Sequence, residues 1–325
     1  MQPGSNWYGA DILAERLLAP LTSFLSPASD LYWIYFLTTA AIAGGLYWHR
    51  RPGPMTARHF LQWLCPRDIY THPSAKLDWL IFACNGILFA APTLGVAAMV
   101  AAVTKSFCEV LFGGSPPIFS EGSFTNVGLT LTLVLAGDFA MFLVHYWMHK
   151  SRLMWEFHKV HHSALVLMPI TAYRQHPVEE LMTGAVNGIS IGLIGGVFLY
   201  FSPANVMPID LAGHNAIEFF FILAARHLRH SHIRLSFGNA LEHWFISPSQ
   251  HQVHHSIAPR HRDKNLGQIF AFWDWMFGTL YLSRDGSENI TYGIDGLAEH
   301  KFPGLKEIYI GPFREILQQV RAGSA

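Results

Sequence analysis

Hydrophobic residues along the chain fall into long continuous runs instead of alternating with polar positions. A helix needs roughly 20 residues to cross about 30 Å of hydrocarbon. Runs of that order lie at 31–48, 77–103, 127–148, 181–201 and 205–225. The pattern predicts an all-α, polytopic membrane protein with about four to five membrane helices.

The fourth and fifth runs carry two further signals. Only residues 202–204 (Ser-Pro-Ala) separate them, which predicts a tight hairpin that either crosses the membrane fully or enters and returns. Within the fourth run, glycines repeat every four residues, at Gly184, Gly188, Gly192 and Gly196. Such a repeat flattens one helix face and predicts close packing against a neighbouring helix.

Basic residues predict how the runs are oriented. The loop after the first run contains Arg50, Arg51, Arg58, Arg67 and Lys76, whereas the loop at 104–126 has one lysine and two glutamates. Cytoplasmic loops of membrane proteins are enriched in Lys and Arg, so we expect the first loop to be cytosolic. Alternation then places the segments after the third and fifth runs on the cytosolic side, and we expect a bacterial cytoplasmic membrane.

Composition agrees with a lipid-covered surface. The chain is 51% hydrophobic and only 14% charged, with 22 basic and 22 acidic residues, while soluble domains average about 25% charged residues. A balanced charge also argues against a nucleic-acid partner. Histidine is unusually frequent, with 19 residues against 22 lysines and arginines together.

The histidines are clustered at helical spacing, and every cluster falls on the predicted cytosolic side. Positions i, i+3 and i+4 share one face of a helix, so each cluster can converge on a metal. Random placement of 19 histidines among 325 residues would give about 0.06 windows of the form His-x-x-His-His, yet two occur. The clusters are His145/His149, His158/His161/His162, His227/His230/His232 and His251/His254/His255.

The type and number of side chains limit which metal site is possible. The clusters contain no cysteine, unlike most structural zinc sites, and more than six imidazoles imply two metal ions. Imidazole suits Fe, Zn, Cu and Ni alike, so ligand type alone leaves the metal open. No glutamate is followed by histidine three residues later, and no His-Glu-x-x-His sequence occurs, so neither a carboxylate-bridged di-iron bundle nor a zinc peptidase is indicated. An all-nitrogen dinuclear site in a membrane favours oxygen chemistry on a lipid.

The four clusters are followed by Asp263-Lys-Asn265-Leu-Gly267 and by Trp273-Asp274-Trp-Met-Phe277-Gly278. In this order, residues 130–282 resemble the fatty acid hydroxylase / sterol desaturase superfamily. The resemblance implies an integral membrane enzyme with a non-haem di-iron centre, two Fe ions that use O₂ and two electrons to hydroxylate or desaturate lipids. It implies the metal ligands His145, His149, His158, His161, His162, His230, His251, His254 and His255.

The resemblance also suggests a division of the chain. Residues 1–126 would form an N-terminal membrane region with two spans and an amphipathic segment at 9–26. Residues 127–285 would form the hydroxylase-like catalytic region, a helical, histidine-rich cytosolic cap over the membrane helices. Residues 286–325 would be a cytosolic tail, and we expect all three to form one folding unit.

Several polar residues are candidates for supporting roles. Asp138 lies two helical turns before His145 and is expected either to accept a proton from a ligand histidine or to join two helices by hydrogen bonds. Asp210, His214 and Glu218 would form a polar stripe in the fifth run, either as packing or as a lining for a polar substrate group. The remaining possible ligands, or hydrogen-bond partners of ligands, are His176, His227, His232 and Asn265.

These features predict an O₂-dependent hydroxylase acting on a lipid C–H bond. The chain has no Gly-x-Gly-x-x-Gly loop and no Cys-x-x-Cys-His sequence, so electrons would come from an external ferredoxin, cytochrome or reductase. Three substrate classes are open: acyl or ether lipids, amino-acid lipids of the ornithine type, and sterol-like lipids. The alternatives are a desaturase with the same site and, from another class, a membrane metal-binding or transport protein.

Overall fold

Long apolar runs and short polar connections fold into a largely helical protein. The computed structural model describes residues 17–88, 93–114, 118–202, 206–283, 288–294 and 302–323. In chain order the helices are α1 (Trp33–Arg50), α2 (Ala57–Leu64), α3 (Arg67–Tyr70), α4 (Pro73–Leu88), α5 (Thr93–Phe112), α6 (Ser123–Lys150), α7 (Arg152–His162), α8 (Pro177–Tyr200), α9 (Ala216–Phe221), α10 (His227–Arg229), α11 (Gly238–Leu241), α12 (Pro248–His254), α13 (Phe272–Phe277) and α14 (Leu305–Gly323).

Irregular helical turns and one small sheet complete the described elements. Two 3₁₀ turns lie at Pro169–Tyr173 and Pro259–His261, and a π-helical turn at Ile222–Arg226 joins α9 to α10. Strands β1 (Asp210–Leu211) and β2 (His214–Asn215) pair antiparallel, with Asp210 opposite Asn215.

The third and fourth hydrophobic runs form helices as predicted, α6 and α8. Within the described residues, three helices are long and apolar enough to cross a membrane, at Gly95–Phe112, Ser123–Lys150 and Pro177–Tyr200. The first run forms α1, which is less apolar than these three.

One predicted span is only partly described, and another is wrong as a continuous helix. The run at 77–103 covers parts of α4 and α5, and residues 89–92 between them lie outside the described part. The run at 205–225 contains the β1–β2 hairpin and short helical pieces. Ala212 and Gly213 turn the chain there with left-handed backbone, at φ values of 56° and 88°, and the Asp210 carboxylate accepts from the Gly213 amide at 2.9 Å. A pattern of hydrophobic residues alone does not predict such a turn.

This turn also removes the predicted polar stripe, since Asp210 and His214 lie on paired strands and not on one helix. Residues 203 and 204 of the predicted hairpin turn lie outside the described part, as do residues 9–16 of the amphipathic segment. Residues 17–22 are helical.

The glycine repeat of α8 packs against α5, as the sequence predicts. A methyl group added at Gly192 would lie 2.6 Å from the Ala97 carbonyl oxygen, and one at Gly196 would lie 2.6 Å from the Ala101 carbonyl oxygen. Both distances are far below van der Waals contact, so only glycine allows the two helices to approach this closely.

We therefore expect Gly192→Ala to destabilise the protein by about 1–3 kcal/mol, because the added methyl group also meets Val100 Cβ at 2.7 Å. The melting temperature in detergent measures the effect. Gly195→Ala is the matched control, because the nearest atom to its new methyl group is Leu133 Cδ2 at 3.5 Å. Equal melting temperatures for the two variants would contradict the packing argument.

Candidate metal centre

The end of α6, helix α7, the residue after α10 and helix α12 bring the nine predicted ligand histidines together. In two separate groups, the candidate ligand atoms all lie within 4.8 Å of one another. The five-histidine group is His145, His149, His158, His162 and His254. The four-histidine group is His161, His230, His251 and His255.

Each His-x-x-His-His motif is divided between the two groups. On α7, His158 and His162 belong to the five-histidine group and His161 to the four-histidine group. In the second motif the division is reversed. His254 belongs to the five-histidine group, while His251 and His255 belong to the four-histidine group. Neither motif can thus complete a group alone, and the two groups form only when α7 and α12 come together.

Backbone carbonyls orient two members of the five-histidine group. His145 Nδ1 donates to the Leu266 carbonyl at 2.7 Å, and His254 Nδ1 donates to the Lys264 carbonyl at 2.9 Å. A carbonyl oxygen only accepts, so each Nδ1 carries the proton, and in a neutral ring Nε2 keeps a free lone pair.

Carboxylates orient two further members in the same way. His158 Nδ1 donates to Glu179 Oε1 at 2.8 Å, and His149 Nδ1 lies 3.3 Å from Asp263 Oδ1. Carboxylate partners fix the ring orientation and raise the basicity of a ligand histidine. Glu179 was not predicted from the sequence, where the signal was a carboxylate two residues after Pro177, beside a membrane run.

The Nε2 atoms therefore point at one another across short distances. In the five-histidine group, His158 Nε2 lies 3.0 Å from His145 Nε2 and 3.1 Å from His162 Nε2. Facing lone pairs repel, and the buried Nε2 atoms of His149 and His254 have no hydrogen-bond partner in the described part. Two nitrogens bound at right angles to one metal, with bonds of about 2.1 Å, would be about 3.0 Å apart. The donor set fits a cation.

The four-histidine group has similar spacing. His230 Nε2 lies 3.0 Å from His251 Nε2, 3.1 Å from His255 Nε2 and 3.3 Å from His161 Nε2. His251 differs from the other members, because Arg229 Nη2 donates to its Nδ1 at 2.8 Å. In a neutral ring this leaves the proton on Nε2, so His251 fits a ligand role less well than the other eight.

The imidazoles are neutral. Burial lowers the pKa of His158 to about 3, and burial with the neighbouring His158 lowers the pKa of His161 to about 3. Burial, and then the adjacent histidines, hold the pKa values of His254 and His255 well below their usual range. Neutral imidazole is the form that binds a metal ion.

Of the two roles expected of Asp138, the described residues show no hydrogen bond to a cluster histidine but do show a hydrogen bond between helices, since Trp273 lies on α13. The Asp138 carboxylate accepts from the Ile269 amide at 2.8 Å, the Phe270 amide at 3.2 Å and Trp273 Nε1 at 2.9 Å. The reason is that the loop after α12 covers this face of α6 and presents free amides to a buried charge. Asp138 thus holds the loop whose Leu266 carbonyl orients a ligand.

The residues after the last cluster lock the same loop, as the sequence suggests. Asp274 accepts from the amides of Leu266 and Gly267, both at 2.7 Å. Asn265 accepts from the Tyr281 amide at 2.7 Å and donates to the Gln250 carbonyl at 3.0 Å. Asn265 therefore supports α12 and the loop, and it lies in neither histidine group.

Three other candidate histidines also lie outside both groups. His232 Nε2 donates to the Trp63 carbonyl at 2.7 Å, and His227 Nδ1 lies 3.4 Å from Thr39 Oγ1. His176 Nδ1 accepts from the second residue of α8, and its Nε2 donates to a carbonyl of α14 at 3.2 Å. These contacts join helices, so of the third cluster only His230 reaches a group.

A buried ion pair, missed from the sequence, fixes the end of α7. Arg174 Nη1 donates to Asp78 Oδ1 at 2.8 Å, its Nη2 donates to Ser163 Oγ at 2.7 Å and its Nε donates to the Val160 carbonyl at 2.9 Å. The Val160 carbonyl also accepts from the Ser163 amide at 3.3 Å and from Ser163 Oγ at 2.6 Å, so Arg174 adds a third donor at the end of α7. This contact holds the histidine-bearing helix against α4.

Two cavities reach the histidines. The first has a volume of about 320 Å³ and touches both groups, through His145, His158, His161, His230 and His251. It extends between α6 and α8, where Met141, Thr183 and Asn187 line it. The second, of about 580 Å³, touches only the five-histidine group, through His149, His162 and His254.

The apolar helices and the two histidine groups are those of a membrane-type protein with clusters that could bind metal ions. The fatty acid hydroxylase family model matches residues 130–279. This region belongs to the fatty acid hydroxylase family, and the resemblance drawn from the histidine motifs is confirmed.

Relatives with assigned activities resemble the chain at modest identity. Ornithine lipid hydroxylase OlsE of Rhizobium tropici is 29% identical over 264 residues, covering 74% of this chain and 73% of the relative. Alkylglycerol monooxygenase of Caenorhabditis elegans is 27% identical over 157 residues, covering 48% of this chain and 28% of the relative. A very-long-chain aldehyde decarbonylase of Oryza sativa is 25% identical over 255 residues, covering 77% of this chain and 84% of the relative.

The chain thus spans less than a third of the alkylglycerol monooxygenase and about three quarters of the ornithine lipid hydroxylase. No solved structure matches the chain.

The contact between Glu179 and His158 predicts a measurable effect on metal binding. We expect Glu179→Gln to lower the affinity of the five-histidine group for a divalent metal about 10- to 100-fold, because the ring loses its charged acceptor. Competition with a chromophoric chelator measures the affinity. Glu180→Gln is the control, since this neighbour touches no cluster histidine in the described part; equal losses in both variants would contradict the assignment.

Proposed function

We propose that the protein is a membrane-bound di-iron oxygenase that hydroxylates a C–H bond of a lipid. The observation that carries the proposal is the convergence of histidine Nε2 atoms in two adjacent groups, beside a cavity that touches both. Family membership supports the same conclusion.

The nine histidines of the two groups would hold the two ions, with His251 as the least well suited. Five nitrogen donors exceed the four that zinc takes in structural sites, and this favours iron in the five-histidine group. When bound, the pair of irons would supply O₂ activation with electrons from an external ferredoxin, cytochrome or reductase.

The chain's own residues would prepare the site. Glu179, Asp263 and the loop carbonyls hold the Nδ1 protons, so that each ring presents Nε2 to the ion. The loop fixed by Asp138 and Asp274 keeps these acceptors in place. Preorganised donors of this kind reduce the reorganisation that metal loading requires.

A lipid substrate is supported by the relatives, which are named as hydroxylases of ornithine lipid and of alkylglycerol. The metal groups lie at the last turn of α6 and opposite the first turn of α8, so they would sit at one edge of the bilayer. Lys150 and Arg152 follow α6 at this end, which supports a cytosolic location. An amphiphile would enter the first cavity from the membrane.

Two substitutions test whether the groups act as metal sites. The purified protein is expected to contain two irons per chain. His254→Ala, in the five-histidine group, and His161→Ala, in the four-histidine group, should each lower iron content by about half or more and abolish activity, because each removes a ligand nitrogen. Plasma emission spectrometry measures the metal. His243→Ala, outside both groups, should retain iron, and full iron in both cluster variants would contradict the assignment.

Lipid mass spectrometry tests the reaction. Cells that express the protein should contain a lipid that is heavier by one oxygen atom, about 16 mass units, and absent from cells with His254→Ala and from anaerobic cultures. Loss of two hydrogens instead would identify a desaturase. Zinc alone in the purified protein, with activity that survives strict anaerobiosis, would overturn the oxygenase, and a metal-dependent phenotype without any lipid change would favour metal binding or transport.

A further inference from the structure

The first cavity contains charged side chains that the metal groups do not use. Asp30, which precedes α1, and His214, Glu218 and Arg226, which lie between β2 and α10, all line it. None of the four belongs to either histidine group. A cavity for a purely apolar tail would not need them, since charges inside a membrane protein are costly.

Asp30 and Arg226 form an ion pair between Oδ2 and Nη2, and both remain accessible. In the pair, 39% of the Arg226 side chain and 22% of the Asp30 side chain are exposed. Because both line the cavity, a bound molecule meets a positive and a negative group side by side.

Glu218 adds a second carboxylate to this part of the cavity. Its half-buried side chain lines the cavity, where Arg226 and His214 attract its charge and Asp30 and Asp138 repel it. Asp30 and Glu218 thus share the single guanidinium of Arg226, and a second carboxylate at such a site is costly unless a further cation joins it. The charge balance of this region therefore favours a ligand with a cationic group.

Two deeply buried residues of the same cavity also lack partners for one polar atom each. Glu179 is 2% exposed and Arg229 is 3% exposed, and Glu179 Oε2 and Arg229 Nε have no hydrogen-bond partner among the described residues. Buried polar atoms are normally satisfied. Both unpaired atoms belong to residues of the cavity wall, which suits a polar ligand and not a hydrocarbon one.

The charges lie on the element that leads to the metal groups. Glu218, Ile222, Arg226 and His230 line the cavity at intervals of four residues along α9, the π-helical turn and α10. With a helical rise of about 1.5 Å per residue, Arg226 lies roughly 6 Å and Glu218 roughly 18 Å along the axis from His230. An anionic group held at Arg226 would thus lie within a few bonds of His230, and a cationic group held at Glu218 would lie farther along the cavity.

We propose that this charged part of the cavity binds a zwitterionic lipid head group, with its ammonium at Glu218 and Asp30 and its anionic group at Arg226. The proposal rests on the proposed lipid oxidation and adds the substrate class. It also places the oxidised carbon in or next to the head group, not at the far end of an acyl tail.

Lipid binding to the full-length protein in detergent tests the proposal, with three probes measured by native mass spectrometry. A long-chain Nα-acyl-lysine offers ammonium and carboxylate, phosphatidylethanolamine offers ammonium and phosphate, and a monoalkylglycerol is uncharged. We expect at least one zwitterionic probe to bind ten times more tightly than the monoalkylglycerol, and the order of the two zwitterions identifies the anionic group.

Glu218→Gln should weaken binding of the preferred zwitterion about tenfold and leave monoalkylglycerol binding unchanged, because only a charged group loses its partner. The matched control is Glu307→Gln on α14, which does not line the cavity. Equal affinity for all three probes, or an equal loss for all three in Glu218→Gln, would overturn the proposal.

Iron content and lipid oxidation are measured on the same samples, so the two proposals can fail separately. Iron-free protein that still prefers the zwitterion would contradict the di-iron hydroxylase but support the head-group site. An iron-loaded, active protein that prefers the monoalkylglycerol would support the di-iron hydroxylase and contradict the head-group site.

Discussion

The structure depends on the meeting of neutral imidazole lone pairs in the protein interior. Burial keeps the rings uncharged, and the hydrogen bonds at Nδ1 leave Nε2 without a proton in at least four of them. The facing Nε2 lone pairs repel one another unless a cation lies between the nitrogens. If the groups bind metal as proposed, metal binding and folding of this region would therefore be linked.

The acceptors that orient the rings come from distant parts of the chain. Glu179 stands at the start of α8, while the carbonyls of Lys264 and Leu266 belong to the loop after α12. That loop is itself bound by Asp138 in the middle of α6. Helix packing and ring orientation thus belong to one hydrogen-bond network. A change in the distance between these helices would therefore change the orientation of the histidine rings.

Helical spacing predicted that the histidines within one cluster share a helix face, because i, i+3 and i+4 lie on the same side of a helix, and the resemblance implied which nine would converge. The division of each motif between two groups could not be predicted, since it depends on how α7 and α12 face each other. The same limit applies to His227 and His232, whose spacing resembles that of true cluster members although their rings point to Thr39 and Trp63. For Asp138 the correct helix face was predicted, but its partners lie 131 to 135 residues away in sequence. The spacing of residues within one helix does not predict hydrogen bonds between residues so far apart in sequence.

The fifth hydrophobic run shows why the substrate side of the site was the hardest to predict. Its apolar residues suggest a membrane helix, yet the β1–β2 turn shortens it and leaves Glu218 and Arg226 facing the cavity that touches both groups. The other cavity touches only the five-histidine group. The charged cavity therefore reaches the four-histidine group, whereas the second cavity does not. Two ions held in these groups would have unequal surroundings, and a substrate bound by its charges would approach both from one side.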